Sequence, residues 1–165
     1  MVLKSLGMAI CGMLFSGMSF AQNEPASPVP FPKGYRDWTH VKSMVIFDNK
    51  HPLFDAFGGI HHIYADNKAL KAIRDNKPFE NGATIVFDLL EAKDSGGTYT
   101  EGKRKFLGVM VWDSKKYAAT QNWGWQVFPG GSQKPSLAKL SDQKACATCH
   151  LEVKAKHFVF TEYRP

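Results

Sequence analysis

The stretch "KACATCHLEVK", residues 144–154, leaves this chain fewer options than any other. It sets Cys146, Cys149 and His150 within five positions. Two thiols three residues apart reach the two vinyl groups on one edge of a porphyrin, while the next residue's imidazole comes up beneath the iron. C-x-x-C-H is therefore the spacing of covalent haem c attachment. The expectation is one haem c, hooked by Cys146 and Cys149, with His150 as the metal ligand. Paired cysteines also serve other chemistry. A redox dithiol or simple disulfide of the C-x-x-C kind normally follows a strand in a βαβ unit, a pattern missing ahead of Ala145. A structural zinc wants four ligands, and His157 is the one further candidate nearby, which leaves that set one short.

Met1 to Ala21 carries Lys4 as its one charge, an apolar run from Leu6 to Phe20, and small residues at Ser19 and Ala21. That pattern predicts a secretory signal over 1–21, cleaved after Ala21, and hence a periplasmic protein. Cys11 is a poor lipid-attachment site because Gly12 to Phe20 after it is still hydrophobic. Residues 22–33, polar and proline-rich, read as a flexible lead, and 34–165 as one domain. Export fits the motif independently, since thioether attachment needs an exported chain with reduced thiols. Without the signal, 20 basic side chains face 15 acidic ones. The lysines are scattered, as on a solubilising surface, and no basic stripe points to nucleic acid. Haem propionates also call for cationic partners.

The rest reads as strands separated by short helices. Met44 to Phe47 is an apolar run that suits a buried strand, and 60–65 a second strand. Asp66 is placed to N-cap a helix over Asn67 to Arg74 with Leu70 and Ile73 on one face. Residues 83–92 and 104–112, rich in β-branched and aromatic residues, predict a hairpin with a long loop over "KDSGGTYTEG". Asp113 caps a short helix to Ala119, 123–128 forms another strand, a helix carries the C-x-x-C-H motif, and 157–163 suggests a last strand. The fold class expected is α+β: mainly antiparallel sheet with short helices around a single haem c, not a four-helix bundle, for which the long amphipathic segments are missing.

Function turns on the iron's sixth position, opposite His150. Met44 and Met110 both fall in predicted buried strands, where core packing is the simpler role. His40, His51, His61, His62 and His157 also compete. His61 and His62 are neighbours on a strand, so they point to opposite faces and at most one can approach the iron. The default is an open or water-bound sixth site, with a bis-histidine or methionine-ligated electron carrier as the rival.

Together "KGYRDW", "IYAD", "NGATIVFDLLEA", "FLGVMVWDSKKYAAT", "NWGW" and "CATCHLEVKAKHFVFTEYRP" resemble the cytochrome P-460 family, which includes the cytochrome c′-beta proteins, over roughly residues 33 to 165. The resemblance implies a single-haem periplasmic domain on an antiparallel sheet, usually a homodimer, with His150 as proximal ligand. It also divides by chemistry. Members of the P-460 branch oxidise hydroxylamine and bond a lysine to the porphyrin edge. Alignment puts Phe87 where that lysine would stand, and the neighbouring strand, Phe106 to Trp112, holds no acid to relay protons. The residues therefore look like the c′-beta branch, with Phe87 and Phe57 as roof residues over the haem and Phe54 as the rival to Phe57. An apolar roof gives dioxygen little help, whereas nitric oxide and carbon monoxide need less. The expectation is a gas-binding haem protein rather than an oxidoreductase: nitric oxide, and carbon monoxide, at a pentacoordinate haem, with an unknown redox partner. A hydroxylamine-oxidising enzyme and a small electron-transfer cytochrome are the alternatives.

Overall fold

A computed structural model of the chain describes residues 25–164. The expected signal peptide and Cys11 lie outside the described residues. Among the described residues, β1 (Thr39–Ile46), β2 (Gly59–Ala65), β3 (Thr84–Asp94), β4 (Tyr99–Trp112) and β5 (Trp123–Pro129) form one antiparallel sheet. Each strand pairs with the next, in the order β1-β2-β3-β4-β5. Three short α-helices interrupt the meander: α1 (Phe54–Phe57), α2 (Asn67–Asp75) and α3 (Leu140–Cys149). This is the expected sheet-dominated architecture and not a helical bundle.

Because strand side chains alternate, the sheet has two working faces. On one, Ile85, Trp123 and Trp125 pack with Ala69 and Ala72 of α2, Ala147 of α3 and Val159 of the C-terminal segment. On the other, Val86, Leu107, Val109 and Phe128 are covered by Val29 and Phe31 from the proline-rich lead and by Tyr35 and Tyr117. The lead is thus partly structural, and its last residues seal a sheet face. That same face buries Asp88 completely. A charge so placed needs partners, and Asp88 accepts from Tyr35 Oη at 2.5 Å, Arg104 Nε at 2.7 Å and Arg36 Nη2 at 3.2 Å.

The local expectations fare unevenly. Asp66 does cap α2, its Oδ1 accepting from Ala69 N at 2.8 Å while Oδ2 accepts from Thr84 N at 3.1 Å. The run Met44 to Phe47 is not a buried strand. Met44 to Ile46 end edge strand β1 and Phe47 follows it; Ile46 is buried, but Met44 is 51% and Phe47 65% exposed; only one side of an edge strand is paired, and apolar sequence alone cannot show which strand is the edge. The long hairpin loop is a tight turn over 95–98, closed by Ser95 N to Thr98 O at 2.8 Å. Asp113 Oδ1 accepts from Lys115 N and Lys116 N, but it starts a turn and a 3-10 segment, Ala118–Thr120, rather than an α-helix. Residues 157–163 form no strand, because His157 and Phe158 adopt left-handed φ values of 55° and 67° that break extended pairing.

Candidate functional site

Helix α3 is docked by its own spacing. Gln143, fully buried, donates from Nε2 to Trp125 O at 2.8 Å and to Ser27 O at 2.9 Å. Ala147, four residues on, is also buried. Positions 143, 147 and 150 share a helix face, so anchoring the first two turns His150 inward too. Its ring lies 4.4 Å from the Trp125 ring and 4.8 Å from that of Phe160. Cys146 is half-buried and Cys149 exposed, both as free thiols. Among the described residues no three His, Cys, Asp or Glu side chains gather as a metal-holding group, so a zinc reading of Cys146 and Cys149 lacks its further ligands.

His150 Nδ1 hydrogen-bonds Phe158 O at 2.7 Å. A carbonyl can only accept, so Nδ1 carries the hydrogen and Nε2 keeps its lone pair. Burial pushes the imidazole below the ordinary histidine range, against the opposing pull of the Phe158 carbonyl. The ring is therefore neutral at pH 7, oriented, and has a free nitrogen: the state a metal ligand needs. The left-handed turn at His157 and Phe158 brings that carbonyl back to the helix end.

The sheet face that receives α3 is laid out in cross-strand rows. Ala65, Ile85, Met110 and Trp125 make one row, and Trp125 is the residue the His150 ring touches. The next row is Ile63, Phe87, Gly108 and Val127, all half-buried. The third contains His61, Leu89 and Phe106. Phe57, from α1, leans over these rows. Its ring is 6.0 Å from Phe87 and 6.1 Å from Phe106, and Phe87 is 5.6 Å from Phe106. Phe57 and Phe87 are thus brought together as expected. Phe54 lies on the same short helix, its ring packed against Gly58.

For an iron porphyrin these residues fit on three counts. Two thiols and a neutral imidazole lie on one helix end. Trp125 Nε1, beside the His150 ring, is a buried donor with no acceptor among the described residues, which leaves it open to a partner from a bound group. The middle of the apolar stripe is Gly108, where a Cβ would meet Phe87 and Phe106 only at 3.5–3.7 Å. A side chain is sterically allowed there, so glycine leaves a cradle rather than relieving a clash.

Sequence reasoning missed Phe106, Trp125 and the true role of His61. His61 is buried on the Phe87 face, its ring 4.8 Å from Phe87. Its Nε2 donates to Phe57 O, which ties α1 to β2. Burial moves the imidazole below its ordinary range against the opposing pull of that bond, helped by the Lys105 charge. His62 points to the other face, as strand alternation requires, and its Nε2 meets Glu101 at 2.7 Å. His40 and His51 are exposed, while His157 packs near Phe79. Met44, expected in the core, is exposed, whereas Met110 packs half-buried against the core as expected.

In comparisons with known proteins, the family described as cytochrome P460 matches residues 32–161. No curated protein matches the chain.

Proposed function

The chain belongs to the cytochrome P460 family, and on that premise we propose that it is a periplasmic c-type haem protein binding nitric oxide, and carbon monoxide, at a five-coordinate haem beneath an apolar roof. The observation that carries this reading is the composition of the half-buried face: Ile63, Phe87, Gly108, Val127, Phe57 and Phe106, without a carboxylate among them. When bound, the haem supplies an iron that takes a diatomic on the side away from His150. Cys146 and Cys149 would hold it through two thioethers, each formed by adding S–H across a vinyl bond, sulfur to one carbon and hydrogen to the other, with no oxidant needed. Burial raises the Cys146 thiol above its ordinary value.

His150, held in place by the Phe158 carbonyl, would offer its Nε2 to the iron. Phe87 and Phe57 exclude water and crowd the ligand side. His61 is the nearest polar group to this roof, but its Nε2 hydrogen is spent on Phe57 O, leaving no N–H for a bound ligand. Dioxygen, which gains partial negative charge on binding, benefits from such a donor; nitric oxide and carbon monoxide depend on one much less. Oxidation of hydroxylamine needs a base to take protons; none of the six face residues is one, and the base beside them, His61, is buried and tied to Phe57 O. A second copy is the natural cover for Met44, Phe47 and Tyr99, exposed apolar residues at one end of β1 and the hairpin tip, which supports the homodimer.

Titrating nitric oxide into the reduced holoprotein tests the reading. One equivalent per haem should complete the spectral change, and air should give no stable oxygen adduct. The denatured holoprotein should weigh the polypeptide plus one haem joined by two thioethers. A further protein–porphyrin bond, or catalytic consumption of hydroxylamine, contradicts the proposal in favour of an oxidising enzyme.

A further inference from the structure

On the sheet face opposite α3, three polar side chains meet in a line that the haem reading does not use. His40 Nε2 lies 2.8 Å from Ser43 Oγ, and His62 Nδ1 lies 2.7 Å from the same oxygen. The far nitrogen of His62, Nε2, is 2.7 Å from Glu101 Oε1. The convergence is made by a bulge. His40 pairs with Tyr64 and Ser43 with His62, but the register slips between His40 and Lys42. Residues three apart on a regular strand point to opposite faces. The extra residue, Val41, corrects the parity and turns His40 onto the side of Ser43 and His62, the re-aiming that bulges perform.

We propose that His40 and His62 form a binding site for a divalent transition cation of the zinc or copper class, bridging β1 and β2, with Glu101 orienting His62. Two imidazole nitrogens already aim at one point, and imidazole is the preferred ligand of these ions. A carboxylate on the second ring nitrogen is the usual support of a metal-bound histidine, since it fixes tautomer and ring direction. With Glu101 accepting from Nε2–H, His62 Nδ1 is left with its lone pair toward the site. Zinc–nitrogen bonds run to about 2.0–2.1 Å, shorter than the present contacts to Ser43 Oγ. Loading therefore moves the hydroxyl aside and draws His40 inward, a rotamer change open to an exposed side chain. Water completes the coordination. Because the ion holds two strands together and has no such site in the unfolded chain, it stabilises the folded state.

Calorimetric titration of the chelator-treated holoprotein with zinc alone tests this, the haem being covalently retained. The expected result is one site per chain, lost in His40→Ala and in His62→Ala and unaltered in His51→Ala, an exposed histidine elsewhere. Glu101→Gln should weaken it about 10- to 100-fold. Zinc should also raise the thermal midpoint of the wild type but not of His40→Ala. No zinc heat in the wild type, or binding that survives loss of both His40 and His62, overturns the proposal. Unchanged binding in Glu101→Gln removes the orienting role assigned to Glu101. Unaltered haem spectra and circular dichroism in the variants establish that they are folded.

Discussion

On the proposed reading, Phe87 and His61 are the single side chains that set what the ligand side admits. Phe87 is half-buried and touches three other rings, those of Phe57, Phe106 and His61. Replacing it with alanine removes a steric barrier from the ligand side without adding a donor. Carbon monoxide association with the reduced Phe87→Ala holoprotein should quicken by about tenfold, equivalent to about 1.4 kcal/mol of barrier; an unchanged rate places Phe87 away from the ligand path. His61 makes a different prediction. Burial lowers its folded pKa, so below about pH 6.5 the unfolded chain takes up a proton that the folded chain refuses. Stability is therefore lost as pH falls below that point. Urea midpoints measured at pH 7.5, 6.5 and 5.5 should decline, and His61→Gln, which keeps an N–H for Phe57 O, should flatten the decline. A slope equally steep in the variant shows that other groups cause it.

At the scale of elements, the C-x-x-C-H motif was legible in the sequence, while the sheet face that its helix packs on was not. Gln143 is invisible as an anchor in sequence because its partners, Trp125 O and Ser27 O, are backbone groups 18 and 116 residues away. Removing it should detach α3 from β5. Gln143→Ala is expected to cost about 2 kcal/mol or more, two buried acceptors being left without donors, and to broaden haem absorption as His150 loses its fixed direction. Chemical denaturation and the haem spectrum check both. Asp66 could be read as a cap since its partner Ala69 is local. Phe106 could not be placed on the Phe87 face, because the loop assigned to "KDSGGTYTEG" left the register of β3 and β4 open. The turn at 95–98 sets Asp94 opposite Tyr99, and two register shifts, on either side of Leu90, then bring Leu89 opposite Phe106. Rings that alternate along one strand, such as Trp123 and Trp125, were the signal available; which face they shared with α3 depends on contacts between distant segments.

Across the whole molecule, the two sheet faces divide the work. The face holding Asp88, Tyr35, Arg36 and Arg104 is closed by the end of the proline-rich lead and stabilises the sheet. The opposite face carries α3, the neutral His150 and an apolar stripe centred on Gly108. The sequence pattern could assign the family and the sheet class, since motif order and strand composition survive without coordinates. It could not tell an edge strand from a buried one, and so misjudged Met44. The account as a whole requires that nothing from the protein reach the iron from the side of Phe87 and Phe57. The absorption spectrum of the purified holoprotein, ferric and ferrous, before any gas is added, tests this most directly. A five-coordinate high-spin ferrous haem is the predicted result, and a low-spin, six-coordinate ferrous spectrum would contradict it.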